Sequence, residues 1–284
     1  MRTHPTVLAL LVVSASLQAQ HYHRQQYREP VPGDSTCRAI WDEFGRSMSG
    51  DPSAVYCEIR EIGTRPTPNQ IEVDGGPRSG VMVQGEDRRD MRLRLVIQAQ
   101  ERTVERAKAL AQQVQLVESP TLHATGVSTR GDDEDHFVAA TIVVVTPLQA
   151  NVNARVDYAP LSVENVRGRM DLYTEHGPLE LRNVGGDVRA RVEYGPVDVA
   201  LDGSKWEGTQ LDAEAEYGPV TLAVPRSFNA DLEIGADHGP LDVDFPLTLT
   251  HFNGQSITTT LGAGGPKVRA VARYGPMALK VTRQ

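Results

Sequence analysis

The fold is decided by a short stretch that recurs along the second half of the chain. At residues 188–199 it reads VRARVEYGPVDV, in which apolar residues alternate with charged ones on both sides of Tyr194-Gly195-Pro196. Such alternation is typical of strands with one buried face, and glycine followed by proline favours a tight corner. The stretch therefore predicts a strand, a corner and a second strand.

The corner motif occurs six times. Its copies are Tyr158-Ala159-Pro160-Leu161, His176-Gly177-Pro178-Leu179, Tyr194-Gly195-Pro196-Val197, Tyr217-Gly218-Pro219-Val220, His238-Gly239-Pro240-Leu241 and Tyr274-Gly275-Pro276-Met277. The first five copies lie 18, 18, 23 and 21 residues apart, and the last gap is 36 residues. The long gap leaves room for an extra coil whose motif has decayed, with Gly264-Gly265-Pro266 as its remnant. Periods near 20 residues indicate a solenoid.

The predicted fold class is all-β. Residues 149–284 are expected to form a β-solenoid, or β-helix-like stack, with coils of about 18–23 residues whose parallel strands lie about 4.8 Å apart. Short strands at regular spacing leave a β-sandwich as the alternative.

A smaller β-rich part, residues 59–148, precedes the repeats. Its clearest strand has Met91, Leu93, Leu95 and Ile97 in alternation with other residues. One helix is expected near residues 103–117, because apolar residues there recur on one stripe and Thr103 can cap its first turn.

The first 58 residues indicate export. Residues 1–19 read as a signal peptide with a nine-residue apolar run, Val7 to Ala15, and small residues up to Ala19 for cleavage. Residues 20–58 form a polar leader and a segment that a disulfide between Cys37 and Cys57 would staple, since an even pair of cysteines in an exported chain favours a bridge. No apolar run reaches the roughly 20 residues that span a bilayer. The expected location is the periplasm, the outer cell surface or the medium.

The composition restricts the class of partner. The formal net charge is −8 at pH 7, which argues against non-specific binding to nucleic acid. Aromatic residues make up 5% of the chain, so a thin repetitive core of valine, leucine and alanine is expected.

Two columns of side chains are candidate site features. The aromatic residues that begin the motif share the parity of the buried residues before them, so they are expected to stack at the edge of the core. These are Tyr158, His176, Tyr194, Tyr217, His238 and Tyr274.

The residues immediately before these aromatics form a possible acidic edge, in which divalent cations or a basic partner could relieve repulsion. They are Asp157, Glu175, Glu193, Glu216 and Asp237, followed by Arg273 before the last aromatic. The alternative is a solvated edge that keeps a β surface soluble. No metal ligand set and no catalytic residue are predicted, because the carboxylates follow the repeat and do not converge in one pocket.

Several further motifs resemble a family of bacterial exported proteins with β-strand repeats, which are labelled adhesins and are of unknown function. The likeness covers residues 55–284. It lies in Asp74-Gly75-Gly76-Pro77, the helix before Val117, Val166-Arg167-Gly168-Arg169, Val184-Gly185-Gly186-Asp187, Trp206-Glu207-Gly208, Leu222-Ala223-Val224-Pro225 and residues 260–265, TLGAGG. The family commonly has Asn-Gly-Gly where this chain has Tyr-Gly-Pro or His-Gly-Pro. The resemblance implies a β-solenoid in the cell envelope and provides no catalytic residues.

The sequence thus favours an adhesin-like protein that is not an enzyme and that needs no cofactor. It would act by binding an envelope protein or a glycan, or by structural support. The alternatives are a polysaccharide-active β-helix enzyme and a cation-binding envelope protein.

Overall fold

The computed structural model describes residues 54–128, 137–248 and 250–282, all within one unit, Met48–Gln284. The predicted signal peptide, the leader, Cys37 and the acidic residues 132–135 lie outside the described residues. Within them no helix is long and apolar enough to cross a membrane.

The described residues are mostly β with one short helix, which confirms the general fold class. The strands are β1 (Ala54–Pro66), β2 (Ile71–Gly76), β3 (Ser79–Glu86), β4 (Asp90–Glu101), β5 (Gln115–Val117), β6 (His123–Thr125), β7 (Phe137–Pro147), β8 (Val152–Val156), β9 (Leu161–Glu164), β10 (Arg167–Thr174), β11 (Leu179–Arg182), β12 (Gly185–Val192), β13 (Val197–Ala200), β14 (Gly208–Ala215), β15 (Val220–Val224), β16 (Ala230–Ala236), β17 (Leu241–Asp244), β18 (His251–Phe252), β19 (Ser256–Leu261), β20 (Lys267–Ala272) and β21 (Met277–Val281). The helix is α1 (Val104–Ala111).

Two large sheets contain nearly all of these strands. The ten-stranded sheet has the order β1-β4-β7-β3-β9-β11-β13-β15-β21-β17, and the nine-stranded sheet has the order β18-β19-β16-β20-β14-β12-β10-β8-β2. Neighbours are parallel from β3 to β17 in the first sheet and from β16 to β2 in the second. The strands β5 and β6 form a small separate sheet.

Each copy of the motif contributes one strand to each large sheet. We call these pairs repeat 1 (β8–β9), repeat 2 (β10–β11), repeat 3 (β12–β13), repeat 4 (β14–β15), repeat 5 (β16–β17) and repeat 6 (β20–β21). As the alternation predicts, every second residue is buried in repeats 1 to 4; in repeat 3 these include Val188, Ala190 and Val192 before the corner and Val197 and Val199 after it. In β17, at the edge of its sheet, the inward residues Leu241 and Val243 are half-buried. Side chains from both sheets join in one hydrophobic core.

The stacking order of the repeats differs from their order in the chain. Repeat 6 lies between repeats 4 and 5 in both sheets, because β20 pairs with β14 and β16 while β21 pairs with β15 and β17. Stacking in chain order, the simplest form of the predicted solenoid, therefore does not hold for the last two repeats.

The described residues of the long gap before Tyr274 form no extra coil, which corrects a second expectation. They include β18 and β19, and β19 pairs antiparallel with β16 and β18. Ile257, Thr259 and Leu261 alternate inward on β19 and are buried. The segment covers the open edge of β16, where an unpaired strand would otherwise expose its backbone.

The charges of β20 account for its position. Its outward residues Lys267 and Arg269 are basic, whereas Asp212 of β14 and Glu233 of β16 occupy the neighbouring outward positions. Direct pairing of β14 with β16 would place like charges side by side, which destabilises a sheet. Inserting β20 places a cation between them.

The helix is shorter than predicted. Thr103 caps it by accepting a hydrogen bond from the Arg106 backbone N–H at 3.3 Å, as expected. The helix ends at Ala111, and residues 115–117 form β5, which pairs with β6. Both large sheets cross the predicted boundary between residues 148 and 149, since β2 pairs with β8 and β3 with β9.

Candidate functional site

The corner between the sheets holds six aromatic rings in one row, which we call the corner row. Backbone hydrogen bonds between successive corners fix its spacing: the N–H of Tyr194 donates to the Glu175 carbonyl at 2.6 Å, and that of Tyr217 donates to the Glu193 carbonyl at 2.7 Å. In stacking order the row is Tyr158, His176, Tyr194, Tyr217, Tyr274 and His238. Parallel pairing thus holds equivalent rings one strand spacing apart.

Each ring lies flat against the next. The centroid distances along the row are 4.3, 4.9, 5.0, 5.0 and 4.7 Å, with interplanar angles between 8° and 15°. Four of these distances lie within the range of about 4.5–7 Å for offset stacking, and the first, between Tyr158 and His176, is slightly shorter. The four inner rings therefore have neighbouring rings against both faces, and their edges are the parts left accessible.

The corner row is exposed to solvent, which corrects the expectation from parity. Tyr158, Tyr194, Tyr217 and Tyr274 are 63%, 44%, 45% and 51% exposed. The strand before each corner ends two residues ahead of the ring, as β12 does at Val192. The bend that follows ends the alternation of the strand, so parity no longer assigns the ring to the core face.

Close backbone contact explains the corner glycines. A Cβ on Gly218 would lie 2.0 Å from the Gly195 carbonyl oxygen, and one on Gly177 would lie 1.9 Å from that of Ala159. None of the corner glycines has a positive φ. Glycine is needed here because successive corners pack too closely for a side chain, not because the turn is left-handed.

The predicted acidic edge lies beside the corner row, with one interruption. Asp157, Glu175, Glu193 and Glu216 follow one another, and Arg273 of repeat 6 then separates Glu216 from Asp237. The Arg273 Nε donates to Glu214 Oε1 at 2.6 Å. The insertion of repeat 6 thus places Arg273, which the sequence order puts at the end of the column, between two of its acids.

A second row of outward residues begins just after the corners, in the ten-stranded sheet, and its three acidic members were missed from the sequence. The first outward residues of the ten-stranded sheet after the corner are Ser162, Glu180, Asp198, Thr221, Ala278 and Asp242. Asp198 and Asp242 are exposed, and Glu180 is half-buried. The signal for this row was present, since each of these residues lies two positions after the corner proline.

The electrostatics of the corner row are dominated by carboxylates. The charge of Glu193, followed by partial burial, raises the pKa of the Tyr194 hydroxyl above its usual value near 10. Burial and a hydrogen bond to Glu193 raise the pKa of Tyr173, whose hydroxyl donates to Glu193 Oε2 at 3.0 Å. Arg155 lies 4.8 Å above the Tyr173 ring and 3.7 Å from Asp157.

The structure offers little enclosed space at the other end of each repeat. A cleft of about 50 Å³ lies at the turns between repeats, bordered by Arg167, Trp206, Glu207 and Phe228. That volume suits one or two water molecules. Over the described ranges, no group of three or more His, Cys, Asp and Glu side chains could hold a metal ion.

The predicted disulfide stays a prediction, because Cys37 lies outside the described residues. Cys57 lies on β1 and packs against the cluster formed by Val96, Val143 and Val145.

Comparison with known proteins gives distant structural likenesses. No protein-family model and no curated protein matches this sequence. Similar solved structures include a candidate cell adhesion protein from Clostridium sporogenes, with 11% identity over 81% of this chain and 100% of that chain and a TM-score of 0.43. A candidate adhesin from Bacteroides fragilis has 13% identity over 80% and 97% of the two chains and a TM-score of 0.34. A candidate lipid-binding protein from Parabacteroides distasonis has 12% identity over 83% and 98% and a TM-score of 0.26. Likeness at this level does not support an argument about function.

Proposed function

We propose that residues 149–284 form a two-sheet β-solenoid whose corner row is the binding surface of a non-enzymatic, adhesin-like protein of the cell envelope. The parallel pairing of successive repeats in both sheets supports the solenoid. The exposed, continuous row of six rings supports the binding role, because large apolar side chains exposed together mark interaction surfaces.

The scaffold suits such a role. Backbone hydrogen bonds and a shared core hold every corner at a fixed position, so the row is prepared for binding before a partner arrives. The carboxylate rows keep the surface soluble and add charge recognition along its length. The protein uses no cofactor in this role.

A capture experiment tests the proposal. The purified protein is immobilised, exposed to envelope extracts, and compared with the double variant Tyr194→Ala/Tyr217→Ala and with Phe252→Ala, which removes an exposed ring outside the row. We expect the wild type and Phe252→Ala to retain the same envelope component and the double variant to lose it.

Equal capture by all three proteins would contradict the proposal, because it would show that the corner row does not bind the envelope component. Release of reducing ends from envelope polysaccharide by the pure protein would favour the enzyme alternative.

We also propose that the protein is exported, with cleavage after Ala19 and a bridge between Cys37 and Cys57. N-terminal sequencing of protein recovered from the periplasm or the medium, together with thiol counting, checks both points. A retained N-terminus or two free thiols would refute them.

A further inference from the structure

We propose that the partner of the corner row is an extended, basic polypeptide segment that lies along the rings. This inference rests on the proposed binding function and adds the chemical class of the partner. It depends on the charges that flank the row, on which parts of the rings are accessible, and on the length of the row.

The charges on both flanks are mainly negative. The two flanking rows together contain eight carboxylates and the guanidinium of Arg273, and two of the carboxylates are paired with arginines outside the rows, Asp157 with Arg155 and Glu180 with Arg182. The carboxylates are Asp157, Glu175, Glu193, Glu216 and Asp237 on one side and Glu180, Asp198 and Asp242 on the other. An apolar strip bordered by negative charge on both sides is complementary to a partner with lysine or arginine side chains.

The accessible parts of the rings disfavour a flat ligand. A ring face, the surface on which flat ligands stack, is already covered by the next ring at every inner position of the row. The tyrosine edges and hydroxyl groups remain exposed. At the inner positions they offer apolar contact and hydrogen bonds to a chain that runs along the row, but no open platform for a sugar ring.

The length of the row defines the length of the segment. The five centroid distances place the first and last rings about 24 Å apart. An extended chain rises about 3.3 Å per residue, so about seven residues cover the row. Because successive side chains of an extended segment point to opposite sides, basic residues at adjacent positions would face both flanks.

Labelled heptapeptides test the inference directly. One probe has the sequence Lys-Lys-Thr-Lys-Lys-Thr-Lys, in which adjacent lysines point to opposite sides of an extended chain, and its matched control has glutamate at every lysine position. Fluorescence anisotropy should show binding of the lysine peptide, with affinity falling several-fold as salt is raised, and no binding of the glutamate peptide.

The variant Glu193→Gln/Asp198→Asn removes one charge from each flank and should bind the lysine peptide roughly tenfold more weakly. The control Asp87→Asn/Glu105→Gln removes two charges outside the flanks and should bind as the wild type does. Equal binding of the two peptides, or unchanged binding by the flank variant, would overturn the inference.

Competition separates this inference from the proposed function. If the lysine peptide displaces the captured envelope component, the result supports both the binding function and the basic partner. If the Tyr194→Ala/Tyr217→Ala variant loses the component and the lysine peptide does not displace it, the binding function stands and the basic partner is wrong.

Discussion

Tyr194 combines two environments that are usually separate. Its ring is covered on both faces, by His176 at 4.9 Å and Tyr217 at 5.0 Å, while its edge is in solvent. Stacking in such a pair contributes roughly 0.5–1.5 kcal/mol beyond the burial of area. The ring therefore stabilises the stack modestly and remains available to a partner.

Replacing Tyr194 tests its contribution to folding. We expect Tyr194→Ala to lower the free energy of unfolding by roughly 1–2 kcal/mol, less than the loss of a fully buried aromatic ring, because the side chain is half exposed. Tyr194→His should cost less, since His176 and His238 already occupy the row. Urea unfolding measures both, and a loss above roughly 3 kcal/mol for Tyr194→Ala would show that the ring is buried in solution.

Gly218 tests the close packing of the corners. In Gly218→Ala the new Cβ would lie 2.0 Å from the Gly195 carbonyl oxygen, so the corners must separate, at a cost of roughly 3 kcal/mol. The matched control is Ala159→Gly, which changes one methyl group at the same motif position and should cost about 0.5–1 kcal/mol. Thermal unfolding measures both variants, and equal losses of stability would contradict the close packing of successive corners.

The pH dependence of Tyr194 tests the influence of the carboxylates. Because its pKa in the folded protein is raised, the folded state holds the phenol proton more tightly than the unfolded chain does. The resulting stability is present below about pH 10 and is lost as the pH rises through the folded pKa. Titration followed by NMR of labelled tyrosine should show a lower Tyr194 pKa in Glu193→Gln, and an unchanged pKa would exclude Glu193 as its cause.

Among the elements, β20 shows how charge can select a strand's position. Arg269 donates to Asp212 at 2.7 Å and Glu214 at 3.0 Å on one neighbour and to Glu233 at 3.3 Å on the other. These hydrogen bonds with carboxylates raise the pKa of the guanidinium, and burial opposes them. The same side chain therefore links repeats 4, 5 and 6.

Reversing this charge should weaken the inserted strand. Arg269→Glu would place a third acid between Asp212 and Glu233, and we expect a loss of roughly 2–3 kcal/mol in the free energy of unfolding. Arg226→Glu, at an exposed arginine after β15, should change stability by no more than about 0.5 kcal/mol. Chemical denaturation measures the free energy of unfolding of both variants. If Arg269→Glu left it unchanged, charge would not explain the order of the strands.

The strands themselves were predictable because the alternation of apolar and charged residues indicates which side of each strand is buried. The pattern around Tyr194 predicted which residues of β12 and β13 face the core, and the structure agrees. The order of the repeats was not predictable from that pattern, since the copies present inward residues of similar kind, mostly valine, leucine and alanine, to their neighbours. Lys267, Arg269 and Arg273 were the available signal, because this copy is basic where its neighbours are acidic.

For the molecule as a whole, the insertion of repeat 6 makes the corner row continuous. Tyr274 lies between Tyr217 and His238, with centroid distances of 5.0 and 4.7 Å. The sequence predicted which rings belong to the row but not their order or exposure. The order of the rings depends on how the strands are arranged in space, and their exposure depends on where each strand ends. The local periodicity of the sequence indicates neither.

Nuclear Overhauser contacts between assigned aromatic rings test this arrangement most directly, because they report ring neighbours in solution without any substitution. The structure predicts strong contacts from Tyr217 to Tyr274 and from Tyr274 to His238, and none from Tyr217 to His238. A direct contact between Tyr217 and His238, with Tyr274 apart from both, would contradict the inserted repeat and the continuous row on which the proposed binding surface depends.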